Sequence, residues 1–340
     1  MKRLIRSFAL AALVAGCASA ETVARPPAPP VDWTPVARPE VVAGPPRATA
    51  RERGAADAYA AALSGPSFDK LGALLDEDAH FSFAGMRDAH GREKVVAAHE
   101  ALFSAFDERR VSPGRVWLTD ASQIVEWTMT GVQARDWMGV TAARRPVVIK
   151  GLTLLWTRDD GSVKDVHVIF DEEVVRVQLG AGHKELAGLV PPTVASGRQE
   201  FEQARTPEEA SNVAAARAAL DALEEGKEAA YAAAFTDDVE VNTPERAQPW
   251  RGVGDMHAYF KTLRGQLAEL DTAVDNAFGV GPYVVLEYDV VGTQRGPIGW
   301  IPMQHEKLLK FSVADVIEMR AGKIARVWRY EDPAQVVGQP

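Results

Sequence analysis

The sequence predicts an α+β protein in which one domain is built twice, each copy with N-terminal helices packed on a curved, mostly antiparallel sheet. Three observations predict it. Shifting the chain by 161 residues superimposes Glu126 on Glu287, Gly131 on Gly292, Gln133 on Gln294, Gly161 on Gly322, Val166 on Val327, Asp171 on Asp332, Val175 on Val336 and Gln178 on Gln339, with no gap. Within each copy Ala-rich helical stretches come first and strands afterwards, the order of an α+β fold rather than of alternating βαβ units. The second half of each copy is dominated by strand patterning broken by turn residues.

The chain divides accordingly. Residues 1–20 read as a leader: Lys2, Arg3 and Arg6 precede the apolar run Phe8–Ala15, which is shorter than the ~20 residues of a spanning helix. Val14-Ala15-Gly16-Cys17 matches the bacterial lipobox, in which Cys17 is acylated and becomes the mature N-terminus. Cleavage after Ala18 or Ala20, discarding Cys17, is the alternative. The expected location is the bacterial cell envelope, as a membrane-anchored lipoprotein, facing the periplasm if the cell is Gram-negative. Residues 21–51 form a Pro-rich, semi-rigid tether. The first domain spans 52–180, a linker 181–206, and the second domain 207–340.

Composition narrows the function. Removing three cations with the leader leaves 38 − 3 = 35 basic against 47 acidic residues, a balance of −12. Such a chain repels phosphate backbones, and no basic run overrules the average, which argues against nucleic acid. Cys17 is the only cysteine, so the folded part has no disulfide, thiolate metal site or cysteine nucleophile. The seven histidines lack metal-ligand spacing, and no phosphate loop, dinucleotide fingerprint or nucleophile elbow occurs. No cofactor and no metal are implied.

Element by element, the first copy offers helices over Ala55–Leu63 and Phe68–Leu75, a short strand His80-Phe81-Ser82-Phe83, and a helix led by Gly91. Strands follow at Arg115–Thr119, Gln123–Thr130, Val147–Thr157 and Val163–Phe170, with Asp159-Asp160-Gly161 as a hairpin turn. The second copy repeats this with helices Val213–Leu223 and Lys227–Phe235, strand Glu240-Val241-Asn242 and a helix led by Gly252. Thr206-Pro207-Glu208-Glu209 is a capped helix start.

These features resemble the SnoaL-like polyketide cyclase family within the nuclear transport factor 2 superfamily. The resemblance rests on Asp76-Glu77-Asp78, Gly91-Arg92-Glu93, Leu102–Asp107, Val125–Gly131 and Asp160–Gly180 in copy one, and on Arg320–Ile324 and Trp328–Asp332 in copy two. It implies two tandem cone-shaped α+β barrel domains, each with a cavity, and a small apolar molecule as partner. It also implies that an aspartate near the end of the last strand serves as the acid/base, a position matched by Asp171 and Asp332.

Strand alternation groups His167, Ile169 and Asp171 on one face of the last strand, with Trp328, Tyr330 and Asp332 as equivalents. These are expected to face the cavity, where burial would raise a carboxyl pKa towards neutrality. The plainer role for either aspartate is to cap the turn that follows. His99 shares a helical face with Phe103 and is the other candidate, or else a satisfied core histidine; Phe260 is its equivalent. Trp127 and Tyr288 occupy matching strand positions as core or pocket lining. Copy one is therefore the expected chemically active or polar-ligand site (Asp171, His167, His99) and copy two a hydrophobic relic or structural partner. The remaining face, Val166, Val168 and Phe170, is expected to cover the other copy in an intrachain pseudo-dimer. The functional expectation is ligand binding with cyclase- or isomerase-like proton transfer; the alternative is a non-catalytic ligand-binding or envelope scaffold protein.

Overall fold

The computed structural model describes residues 50–84, 87–120, 122–183, 186, 194, 197–303 and 307–337. The leader, Cys17 and the tether up to residue 49 lie outside them. Two sheets are present, each with helices on one side. In the first domain, helices α1 (Ala50–Ser64), α2 (Asp69–Leu74) and α3 (Arg92–Phe103) accompany strands β1 (Leu75–Phe83), β2 (Arg87–His90), β3 (Phe106–Leu118), β4 (Ser122–Gln133), β5 (Pro146–Thr157) and β6 (Val163–Ile169). A short helix α4 (Glu172–Gln178) follows, and linker strand β7 (Gln199–Glu202) adds to the edge, giving the order β2-β1-β6-β5-β4-β3-β7. The second domain has helices α5 (Pro207–Glu224), α6 (Glu228–Ala233) and α7 (Gly252–Gln266). Its strands are β8 (Phe235–Asn242), β9 (Trp250–Arg251), β10 (Leu267–Val280), β11 (Tyr283–Gln294), β12 (Leu308–Arg320) and β13 (Lys323–Glu331), in the order β10-β11-β12-β13-β8-β9.

The repeat is visible in the backbone. Gly91 and Gly252 both adopt positive φ, 89° and 73°, where the chain turns into α3 and α7. A Cβ at Gly131 would stand 3.2 Å from the Asp107 carbonyl, and one at Gly292 2.9 Å from that of Ala268. The bulged starts of β3 and β10 cross there, with the matched residues Glu108 and Glu269 at φ of 55° and 52°. Thr206 caps α5 in a capping box with Glu209. Four of these elements had no signal in the sequence analysis: β2, β7, β9, and α4, which begins where the last strand was expected to end.

The outer faces of the two sheets meet. Val280, Val285, Ala314, Val316 and Tyr330 of the second domain belong to the apolar cluster of the first. The Arg115 guanidinium lies 3.7 Å from the Trp328 ring centroid, and Tyr283 packs against both Trp117 and Phe201, with centroids 5.6 and 4.6 Å apart. The buried carboxylates of this face, Glu126 and Glu287, are paired. Glu126 takes ion pairs from Arg115 and, at 2.6 Å, from Lys150. Burial opposes its ionisation, but the two cations outweigh it and hold the carboxyl below its ordinary range.

Strand parity is the main correction to the sequence analysis. Val166, Val168 and Phe170 do not form the pairing face. Phe170 packs at 4.9, 5.9 and 6.1 Å from the rings of Phe83, Phe103 and Trp127, inside the first cone. Likewise Val327 and Arg329 point into the second domain, while Trp328 and Tyr330 face the first. The two faces were exchanged because both are apolar: a strand covered by helices on one side and a sheet on the other has no wet side to mark its parity.

The first cone is filled. Phe81, Phe83, Phe103, Trp127 and Phe170 are at most 1% exposed, and the Trp127 indole N–H donates to Thr153 Oγ1 at 2.8 Å. A Cβ at Gly151 would fall inside that indole. Gly151→Ala is therefore expected to destabilise the protein by about 1–3 kcal/mol through overpacking. A lowered urea midpoint checks this; an unchanged one would mean that the indole has room to move.

Candidate functional site

The positions expected to act together are separated by the sheet. His99, in α3, is sealed inside the first cone. Its Nδ1 donates to the Val95 carbonyl at 2.7 Å, so Nε2 accepts from the Tyr59 hydroxyl at 2.9 Å. Burial pushes this imidazole down to about 4, which keeps it neutral. His167 lies on the opposite face of β6, where Nδ1 donates to Glu287 of the second domain. Ile169 shares that outer face by alternation and is buried. His167, His99 and Asp171 therefore do not form one constellation.

Asp171 ends β6 and caps α4: Oδ1 accepts from the Glu173 and Val174 amides at 2.8 and 3.1 Å. Its Oδ2 is buried without a partner among the described residues. Asp332 does the equivalent for the final turn, accepting from Ala334 N at 3.2 Å, and reaches across the domain boundary to Glu172 N at 3.4 Å. Both aspartates are capping groups, and Asp171 also lines a cavity.

That cavity is a crevice of about 190 Å³ between the domains. An apolar void of ~150 Å³ holds a benzene molecule, so the crevice has room for one ring-sized ligand. Its apolar walls include Ile149, Phe170, Val174 and Trp328. Its polar groups include Asp171 from the first domain and Thr243, Arg246, Arg329 and Glu331 from the second. Thr243 Oγ1, like Asp171 Oδ2, is buried without a partner among the described residues. Arg246 stacks over the Trp250 ring at 3.9 Å.

The second domain keeps smaller hollows of about 50 and 30 Å³, and Arg329 lines both as well as the crevice. Arg329 donates to both Asp315 oxygens at 3.0 and 2.9 Å and to the Tyr288 hydroxyl at 2.8 Å, and Tyr288 donates to Asp315 at 2.8 Å. Tyr259 lines the same space, and its buried hydroxyl has no partner among the described residues. Phe260 packs on Tyr231 with centroids 5.3 Å apart. The second copy is thus the polar one, which corrects its reading as a hydrophobic relic. Trp328, Tyr330 and Asp332 are not inside its cone, because β13 turns Arg329 and Glu331 inward instead.

The carboxyls around the crevice are shifted. Burial, with Glu245 and Glu173 adding to it, pushes Asp171 up to about 7 against the pull of two backbone amides. Glu331 keeps part of its surface open to the cavity, yet burial and the neighbouring Glu245, Asp315 and Asp171 push it up to about 8 despite Arg329. Burial, Glu172 and Asp171 also raise Asp332. The sequence analysis missed Glu331, Arg329 and Tyr259. The polar residues alternating along β13 were the available signal, once parity is known.

Residues 213–339 match the family described as SnoaL-like polyketide cyclase, and residues 56–166 the one described as SnoaL-like domain. The chain therefore carries two SnoaL-like domains in tandem. Among solved structures, it is similar to a Jannaschia sp. CCS1 protein of the SnoaL-like polyketide cyclase type, at 18% identity over 40% of this chain and 99% of that one, TM-score 0.36. An LEH-like epoxide hydrolase of M. tuberculosis matches at 21% identity over 38% and 89%, TM-score 0.32. A Catenulispora acidiphila protein with a ketosteroid isomerase-like fold, solved with trimethylamine, matches at 21% over 37% and 92%, TM-score 0.32. No curated protein matches the chain.

The raised carboxyls fix a stability slope. Asp171 and Glu331 rise from ordinary values of 3.8 and 4.5, so between about 4 and 8 the native state holds protons that the unfolded chain has lost. Stability then falls as pH rises through that range. Carboxyls held low by cations, such as Glu126, oppose this slope only near and below their ordinary values. Thermal unfolding should show a lower Tm at pH 8 than at pH 5, and Asp171→Asn with Glu331→Gln should flatten the difference. An unchanged slope in the double variant would contradict the assignment.

Proposed function

We propose that this chain is an exported, lipid-anchored protein whose two SnoaL-like domains hold a small, largely apolar molecule in the crevice between them, and that Asp171 and Glu331 move a proton on it. One observation carries the reading: a carboxyl from each domain lines one crevice, and both titrate close to neutrality. With both carboxyls raised by burial and by each other's neighbourhood, the pair holds one proton between them near neutrality, the distribution a general acid/base pair needs.

In the proposed step the ligand's ring lies against Phe170 and Trp328 with a carbonyl oxygen towards Arg246. The ionised carboxylate takes a proton from the carbon beside that carbonyl, and the C–H electron pair becomes an enolate. The protonated partner returns a proton at a different carbon, which gives an isomer, or, where the enolate carbon has added to a second carbonyl of the ligand and opened its π bond, at the alkoxide oxygen so formed, which gives ring closure. Proton count is conserved and the step needs no cofactor. The reaction class is isomerisation or ring closure. The filled first cone favours a second reading for that half, as a structural partner in a ligand-binding or envelope scaffold.

Exchange of α-protons into D₂O, followed by NMR with a panel of small cyclic monoketones, tests the chemistry. The rate should peak between about pH 7 and 8, with Asp171→Asn removing the acid limb and Glu331→Gln the alkaline limb. Each variant should lose about 10²–10⁴ in rate. Wild-type exchange no faster than buffer, or no loss in Glu331→Gln, would sink the proposal. Mass spectrometry of ligand retained on native purification would identify the molecule.

Anchoring rests on Cys17 following the apolar run and Gly16. Among the described residues no helix is long and apolar enough to cross a membrane. Labelled palmitate is expected to enter the wild-type chain and not Cys17→Ser, which should leave the membrane fraction. Membrane association that persists unlabelled in Cys17→Ser would count against the anchor.

A further inference from the structure

Strand pairing gathers histidines that the sequence scatters. The register of β1 sets His80 opposite both His90 and Asp165, and Ser82 opposite His167. One nitrogen each of His80 and His167 and one oxygen of Asp165 lie within 4.8 Å of one another. His80 Nδ1 stands 2.8 Å and His167 Nε2 3.3 Å from the same Asp165 Oδ1. Donors held around tetrahedral zinc at about 2.0–2.1 Å stand roughly 3.3 Å apart, so small side-chain rotations suffice to converge these three on one ion.

The groups behind the imidazoles point the same way. His167 Nδ1 donates to Glu287 Oε1 at 2.8 Å, and Asn276 donates to the other oxygen of that carboxylate at 2.7 Å. His80 Nε2 lies 3.7 Å from Asp88. Each imidazole thus turns one nitrogen towards the shared point and has a carboxylate behind the other. Metal-bound histidines use this arrangement to fix tautomer and ring orientation. His90 stacks on His80 with centroids 4.5 Å apart, and Trp156 packs on His167 at 4.7 Å, which restrains the ring planes. The His80, Asp165 and His167 side chains are 28, 32 and 21% exposed, open enough for an ion and its water.

We infer that His80, Asp165 and His167 form a binding site for a divalent transition-metal ion such as zinc. Glu287 and Asp88 are its positioning residues, and water completes the coordination. Two imidazoles with one carboxylate suit zinc and other imidazole-binding ions, whereas magnesium and calcium take oxygen donors. None of these residues lines the crevice of Asp171 and Glu331, so the site stands independently of the proton-transfer reading. Because Glu287 comes from the second domain, a bound ion would also brace the contact between the sheets. The competing arrangement is a plain ion-pair network, with both imidazoles protonated around Asp165 and no affinity for metal.

The test is titration of the whole, metal-stripped chain with Co²⁺, followed by its visible bands, and with Zn²⁺ by calorimetry, at about pH 8, where protons compete less than at neutrality. One ion per chain is expected, with a micromolar or tighter Kd, zinc displacing cobalt and magnesium displacing neither. His80→Ala and His167→Ala should each weaken binding by at least about 100-fold, and Glu287→Gln by about 10–100-fold with the band shape retained. Should a histidine variant unfold by circular dichroism, Asp165→Asn, which preserves shape, supplies the comparison. No stoichiometric binding at about 100 μM cobalt or zinc, well above that Kd, or binding unmoved in the variants that fold, overturns the proposal.

Discussion

Two sheets laid face to face, each with helices on its other side, leave their central strands dry on both surfaces. A carboxylate buried on β4, β11 or β12 must then find a partner within the protein, since an unpaired charge in such a layer costs several kcal/mol. The pairings follow. Glu126 is met by Arg115 and Lys150, Glu287 by His167 and Asn276, and Asp315 by Arg329 and Tyr288. The 161-residue shift carries Glu126 onto Glu287 and Arg115 onto Asn276. The same buried acid is thus held by two cations in one copy and by an amide plus an imidazole in the other.

The duplication let the two interiors diverge. In the first copy aromatic rings occupy the cone, and its polar groups, His99 and Tyr59, satisfy each other. In the second, Arg329, Asp315, Tyr288 and Tyr259 surround small voids. A single copy would present neither the crevice nor its paired carboxyls, because Asp171 reaches it from the end of β6 and Glu331 from the end of β13. The boundary between the copies, rather than either cone, is where acidic groups are crowded out of water.

Much of the fold was legible because its signals are local. Helix starts such as Thr206-Pro207, glycine-led turns at Gly91 and Gly252, and the gapless repeat all act through a few neighbouring residues. Strand β7 was not legible, since its four residues Gln199–Glu202 become a strand only by pairing with β3. The candidate site was legible in part. Asp171 was found as a strand-end carboxyl. Glu331 was passed over because the alternation of β13 gives two faces without saying which is inside.

The sequence by itself determined the duplication, the α+β class and the order of elements, for these depend on periodicity and turn chemistry along the chain. Only the tertiary structure decided which face of each strand looks inward, that the first cone is filled, and that His80, Asp165 and His167 stand together although 85 positions separate His80 from Asp165. The physical reason is one. Alternation divides a strand's side chains into two sets, but when both sides are buried only the packing of sheet on sheet and helix on sheet assigns each set its place.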